Sequence, residues 1–226
     1  MRVSVTVLEN FRRYMAGLCW CAEACTCEAD LIRSIRGEFV PLPRMEAGSR
    51  FHKAIETADF SGFDGQSVVD ALLLADYGRV ATPLAEHRGI HEGKFTASIA
   101  GVLVVGKFDY LTAGVVYDWK TTEKSAGGDY TDSLQWRMTL AALPEITRFR
   151  YETFQLKAET YDQRDGGIVE VTAVKYLPPG QEFARYPALL SDCEQWIYQF
   201  RGYIAHRGLT AFVADKPSNE LPEAAA

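Results

Sequence analysis

Gly106-Lys107-Phe108-Asp109 and, a little further on, Tyr117-Asp118-Trp119-Lys120-Thr121-Thr122 decide how this chain is read. Each aspartate stands near the end of a run of Val, Phe, Tyr and Leu, the composition of a buried strand, so strands are expected over 102–111 and 115–120. Leu111-Thr112-Ala113-Gly114 between them has the chemistry of a hairpin turn. A hairpin sets the two strands side by side and lets Asp109 and Asp118 face one point. Two neighbouring carboxylates repel and raise each other's pKa unless a cation sits between them. Oxygen ligands of this kind suit hard ions such as Mg²⁺ or Mn²⁺. Lys120, two residues after Asp118, projects from the same strand face. Two acids on a metal with an ammonium beside them fit phosphodiester hydrolysis: the metal acidifies a water and neutralises phosphate, and the lysine orients the water or stabilises developing charge. The same residues also fit a plainer arrangement, in which both acids end strands and Lys120 forms a surface salt bridge of little energetic weight.

Outward from this hairpin the texture alternates. Residues 5–36 read as mostly helical, broken only at Gly17, and Pro41 and Pro43 mark a turn. In 45–60, Phe51, Ile55 and Ala58 share a face at helical spacing. Residues 60–65 are a loop, and 67–78 a short apolar helix. Residues 94–100 form another short strand before the hairpin. After it a helix is expected through Ser133-Leu134-Gln135-Trp136, with Thr131 or Asp132 as N-cap and Pro144 near its end. Strands are expected over 148–160 and 167–177, joined by a turn at Asp165-Gly166-Gly167, followed by a long helix from near Gln181 to Arg207. The whole is a mixed α/β layout, a central sheet flanked by helices. One domain over 1–213 is expected, with 214–226 a disordered tail of Pro and charge.

Composition limits the function classes. The 226 residues carry a net charge of −6, which speaks against broad, non-specific nucleic-acid binding while allowing a local basic face. No apolar run approaches the roughly 18–20 residues needed to cross a bilayer, and charges fall where the apolar stretch of a signal peptide would lie. A cytoplasmic protein is expected. Four of the five cysteines, Cys19, Cys21, Cys25 and Cys27, crowd together, and Cys193 stands alone. A secreted disulfide framework would spread them, so reduced thiols are expected; the spacing matches neither common zinc nor ferredoxin patterns.

The chain resembles the PD-(D/E)XK nuclease superfamily, and most of all its RecB-like branch. Four features carry the resemblance, over roughly residues 48–157: the G-x-x-D of Gly106–Asp109 with the D-x-K of Asp118–Lys120; Gly48-Ser49-Arg50-Phe51-His52-Lys53-Ala54-Ile55-Glu56, similar to the upstream histidine-bearing helix; Gln135 in a helix after the hairpin, similar to the Q-x-x-x-Y motif; and the order of elements. The resemblance implies a restriction-endonuclease-like core. It implies that His52, Asp109, Asp118 and the main-chain carbonyl of Trp119 hold Mg²⁺ or Mn²⁺, that Lys120 is the catalytic lysine, and that Gln135 acts in catalysis or contacts nucleic acid together with Thr121. Glu86 is a candidate second acid. Thr139 stands where that motif has tyrosine, and the cysteines do not follow the arrangement, one early and three late, of members that carry an iron–sulfur cluster.

The resemblance also implies the substrate and setting: a DNA exonuclease of recombination or repair, with DNA, partner proteins of those processes, or a second copy of the chain as partners. The alternatives are a catalytically silent nucleic-acid-binding or assembly module on the same fold, and an unrelated hydrolase using the same acids on a small phosphate substrate. Trp136, Phe149, Tyr151 and Phe154 are read as base-stacking candidates or as core. Arg33, Arg36, Arg44, Arg50 and Lys53 are read as a phosphate-tracking face or a solvated one, and His87, His91 and His206 as packing or surface histidines.

Overall fold

The computed structural model describes residues 1–18, 27–38, 43–75, 89–162 and 168–214. Glu86, His87, Cys19, Cys21, Cys25, Pro41, the turn at 165–167 and the tail from 215 onward lie outside the described residues. The elements, in order, are β1 (Arg2–Ser4), α1 (Val5–Met15), α2 (Cys27–Arg36), α3 (Pro43–Thr57), α4 (Gly65–Leu74), β2 (Ile90–Ile99), β3 (Val102–Thr112), β4 (Val115–Thr122), α5 (Leu134–Ala142), β5 (Arg148–Asp162), β6 (Ile168–Tyr176), β7 (Gln181–Ala184) and α6 (Leu189–His206). A 3₁₀ turn at Thr210–Val213 follows.

The seven strands form one mixed sheet in the order β1-β3-β4-β5-β6, with β2 also on β3 and β7 also on β5. β3 and β4 are antiparallel, β4 and β5 parallel through the α5 crossover, and β5 antiparallel to both β6 and β7. The expected hairpin turn is present. Ala113 (φ 48°) and Gly114 (φ 76°) both take left-handed backbone, the two-residue turn whose twist matches that of the strands it joins. Ala100 and Gly101 repeat the device between β2 and β3.

By packing, the chain forms two compact units. The first comprises Met1–Phe39, Phe95–Gly106 and Pro187–Ala226. In it β1 pairs with the first part of β3, Val3 opposite Val104. Ser4 then caps α1, its hydroxyl accepting from Val7 N at 3.2 Å, which satisfies one of the amides a helix start leaves open. Phe11 on α1 is fully buried under Trp196, Phe200 and Tyr203.

The second unit comprises Val40–Lys94 and Lys107–Tyr186. Its core gathers Phe51 and Ile55 of α3, Val68, Ala71 and Leu72 of α4, and Tyr110, Trp119, Phe154, Leu156, Val174 and Tyr176 of the strands. β5 is buried along Tyr151–Leu156, inside the sheet with β4 on one edge and β6 and β7 on the other. Its polar side chains are therefore satisfied internally. Glu152 accepts from Tyr176 Oη at 2.6 Å and from Arg150, and Gln155 donates to the Glu123 carbonyl at 3.0 Å. Here the run α3–β2–β3–β4–α5–β5 forms a restriction-endonuclease-like core.

Several local expectations are corrected. The N-cap of α5 is Ser133, whose hydroxyl accepts from Gln135 N, rather than Thr131 or Asp132. The last helix starts at Leu189, not near Gln181; residues 181–184 form β7 on the edge of β5, and Pro187 keeps its predecessor out of helical backbone. The base-stacking candidates Trp136, Phe149, Tyr151 and Phe154 are core, none more than 5% exposed, with Trp136 stacked on Phe183 at 4.7 Å. No described helix is long and apolar enough to cross a membrane.

Candidate metal centre

The site begins where β3 and β4 part. Their paired register runs Thr112–Val115, Leu111–Val116, Tyr110–Tyr117. One step further, where Asp109 would face Asp118, a side chain takes the place of the ladder: Asp109 Oδ2 accepts from the backbone N–H of Trp119 at 2.6 Å. Alternation along each strand puts Tyr110, Tyr117 and Trp119 toward the apolar core and turns Asp109 and Asp118 the other way. The two acids thus share a face.

α3 supplies the histidine. Its Phe51 and Ile55 anchor it in the core, and Gly48 brings its backbone so close to β4 that a Cβ there would lie 2.6 Å from Thr121 Oγ1. This seating puts His52 Nδ1 3.2 Å from Asp109 Oδ1. The pair polarises both partners. Burial is the largest single effect and works against the charge of each, but the mutual hydrogen bond and the attraction of neighbouring opposite charges together outweigh it, so Asp109 is held below the ordinary carboxylate value and His52 is raised.

α5 supplies the amide. Ser133 starts the helix so that Gln135 points at the strand pair in its first turn. Its Nε2 donates to Asp118 Oδ2 while its Oε1 accepts from Lys120 Nζ at 2.7 Å. Lys120 Nζ also lies 2.5 Å from Asp118 Oδ1 and 5.2 Å above the ring of Tyr151. Burial pushes Asp118 up to about 6; Lys120 pulls it down and Asp109 pushes it further up. Lys120 would be lowered by burial alone, but the adjoining Asp118 carboxylate raises it, so it stays an ammonium.

His52, Asp109, Asp118, Lys120 and Gln135 are therefore together at one place in this unit. Thr121 is not with them: alternation sends it to the opposite face, against Gly48 of α3. Thr139 is fully buried and donates to the Gln135 carbonyl at 2.8 Å, so the residue at the tyrosine position of Q-x-x-x-Y stays within its own helix. His91 packs against the Tyr110 ring at 4.5 Å, and His206 is exposed. Arg33 pairs with Asp30 and Lys53 with Glu56, as expected of a solvated helical face.

Among the described residues, the three donors that converge most tightly are His52, Asp109 and Glu92, each with a ligand atom within 4.8 Å of the others. Glu92 was not among the residues the sequence pointed to. The signal was present: counting back from the Ala100-Gly101 turn places Glu92 across from Asp109. Oxygen donors with one imidazole, next to an acid that burial holds up at about 6, form a set short of positive charge and chemically suited to Mg²⁺ or Mn²⁺.

No protein-family model matches the chain, and no curated protein sequence does either. Among solved structures, SSO0001 aligns at 11% identity over 89% of this chain and 76% of that one, with a TM-score of 0.45. A protein from Eubacterium rectale named "Putative exonuclease" is similar at 12% identity over 99% of this chain and 90% of that one, with a TM-score of 0.53. At such identity the likeness is one of fold: this chain has the overall fold of the Eubacterium rectale protein.

Proposed function

We propose that the chain is a divalent-metal-dependent DNA nuclease of the PD-(D/E)XK superfamily, in its RecB-like branch, cutting phosphodiester bonds from an end. The observation that carries this reading is the junction of β3 and β4, where two acids share a face, one held by His52 and the other by Lys120 and Gln135. The fold shared with a protein named as an exonuclease supports it. Asp109, Asp118, His52 and the carbonyl of Trp119 would hold Mg²⁺ or Mn²⁺, which supplies an acidified water and neutralises phosphate charge when bound.

The chain's own residues do the rest. Lys120 is kept charged by Asp118 and keeps its side chain 28% exposed, so its ammonium can donate to a phosphate oxygen or orient the attacking water. Gln135 fixes both ends of that ion pair and so sets where the ammonium points. Asp109, bonded to a strand amide and to an imidazole, is held ionised.

The test is incubation with linear and circular DNA, single- and double-stranded, with Mg²⁺, Mn²⁺ or chelator. The expected result is metal-dependent shortening of linear DNA, circles left intact, and a loss of about a hundred- to a thousandfold in Asp118→Asn and Lys120→Met. Tight DNA binding without cleavage, or cleavage that survives both substitutions, overturns the reading.

A further inference from the structure

β2 and β3 run past each other so that Gly93 lies against the ring of Phe108 and His91 against that of Tyr110. Glu92 falls between these pairs and opposite Asp109. Directly opposite residues on paired strands share a face, so Glu92 stands on the side of Lys107 and Asp109; its backbone is left-handed at φ 48°, and its side chain is only a quarter exposed. Gly93 permits the close approach, since any Cβ there would overlap Phe108. Carboxylates directly opposite one another on paired strands repel. What offsets this is Lys107, whose Nζ lies 2.6 Å from Glu92 Oε2.

Donors on a Mg²⁺ ion stand ~3 Å apart in cis and ~4.2 Å apart in trans positions. The ligand atoms of His52, Glu92 and Asp109 lie within 4.8 Å of one another, so small side-chain shifts bring all three onto one ion. Their chemistry is mixed, one imidazole nitrogen and two carboxylates, and they come from three elements, α3, β2 and β3. Asp118 is not of this trio; its oxygens are engaged by Gln135 and Lys120.

Resting on the nuclease reading above, we propose that Glu92 is a ligand of the same divalent cation, and that Lys107 is the counter-ion the cation displaces. Metal loading then exchanges one positive charge for another on Glu92. Lys107 has a part separate from that of Lys120: it sets how tightly the metal is held and takes no part in the chemistry on DNA.

Titration of the intact chain with Mn²⁺ alone tests this, the free ion being followed by its electron paramagnetic resonance signal. Wild type, Asp109→Asn, Glu92→Gln and Lys107→Met are compared, with circular dichroism as the check on folding. Expected are binding by wild type, loss in Asp109→Asn, weakening of Kd by about tenfold or more in Glu92→Gln, and tightening in Lys107→Met. Glu92→Gln binding Mn²⁺ like wild type, or Lys107→Met binding it more weakly, overturns the assignment while leaving the nuclease reading intact. Wild type that binds no Mn²⁺ overturns both. The Lys107→Met arm leaves the Glu92 side chain in place, so it decides the matter even if Glu92→Gln folds poorly.

Discussion

Gln135 is the residue on which the Asp118–Lys120 ion pair turns. An amide can donate and accept at once, and here it donates to Asp118 while accepting from Lys120. Gln135→Leu keeps the bulk and removes both bonds. A fall in kcat of about ten- to a hundredfold is expected, typical of removing a group that orients a site rather than reacts in it. Mn²⁺ binding to the His52–Glu92–Asp109 trio should change little, and a variant that loses metal affinity as severely as rate contradicts this role. Asp109, Asp118 and Lys120 were legible from spacing, two acids either side of a hairpin turn and a lysine two residues on, whereas His52 and Gln135 were legible only through the resemblance to a known family. Glu92 is marked by register and not by its own segment: it emerges only when β2 is counted back from the Ala100-Gly101 turn to stand opposite Asp109. Thr121, one step past Lys120 on the same strand, lies on the other face, against Gly48 of α3.

Two helices present their residues through close fits at named positions. α5 is fixed at its start by Ser133, whose oxygen also lies 3.2 Å from Tyr151 Oη, and at its end by Arg185, whose guanidinium donates to the carbonyls of Leu140, Leu143 and Ile146. Ser133→Ala should cost about 1 kcal/mol in urea unfolding, the usual worth of an N-cap, and an unchanged midpoint would show that the cap does not hold the helix. α3 depends on Gly48. A methyl group there meets Thr121 Oγ1, on a β-branched side chain with little freedom to turn away. Gly48→Ala should therefore push α3 off β4, cost about 1–3 kcal/mol and draw His52 away from Asp109. Cleavage should fall at least tenfold and be partly restored by excess Mn²⁺; wild-type activity and stability together would mean the contact is slack. The elements themselves were largely readable, since the hairpin, α3, α5 and the paired strands β5 and β6 all follow from periodicity and turn chemistry. β7 was not. Its partners are long-range ones: Gln181 accepts from Tyr130 N at 3.0 Å and donates to the Gly128 carbonyl, and Arg148–Tyr151 pair with residues 181–184 across thirty residues or more. Local pattern simply continued the following helix through it.

For the whole molecule, the site links metal, protons and stability. Asp118 and His52 are both raised, so the folded, metal-free chain holds their protons more tightly than the unfolded chain does. The stability they contribute is fully present below their unfolded values, 3.8 and 6.5, and is lost as pH rises, through about 6 for Asp118 and above 6.5 for His52. Asp109 is lowered and acts oppositely, contributing stability above 3.8 that disappears as pH falls further. Between pH 5 and pH 8 the chelator-treated protein should therefore lose stability at this site. A divalent ion reverses the slope, because it binds only the deprotonated ligands and releases those protons on entry. At a hundredfold excess over its Kd it adds roughly 3 kcal/mol, or about 5–10 °C in melting temperature for a chain of this size. The difference in Tm between Mn²⁺-loaded and chelator-treated protein should thus be small at pH 5 and widen steadily to pH 8. Asp118→Asn removes one of the competing protons and should flatten the rise between pH 5 and 6 in particular. A difference that is constant with pH, or that shrinks as pH rises, would mean that the ion binds somewhere other than among these acids.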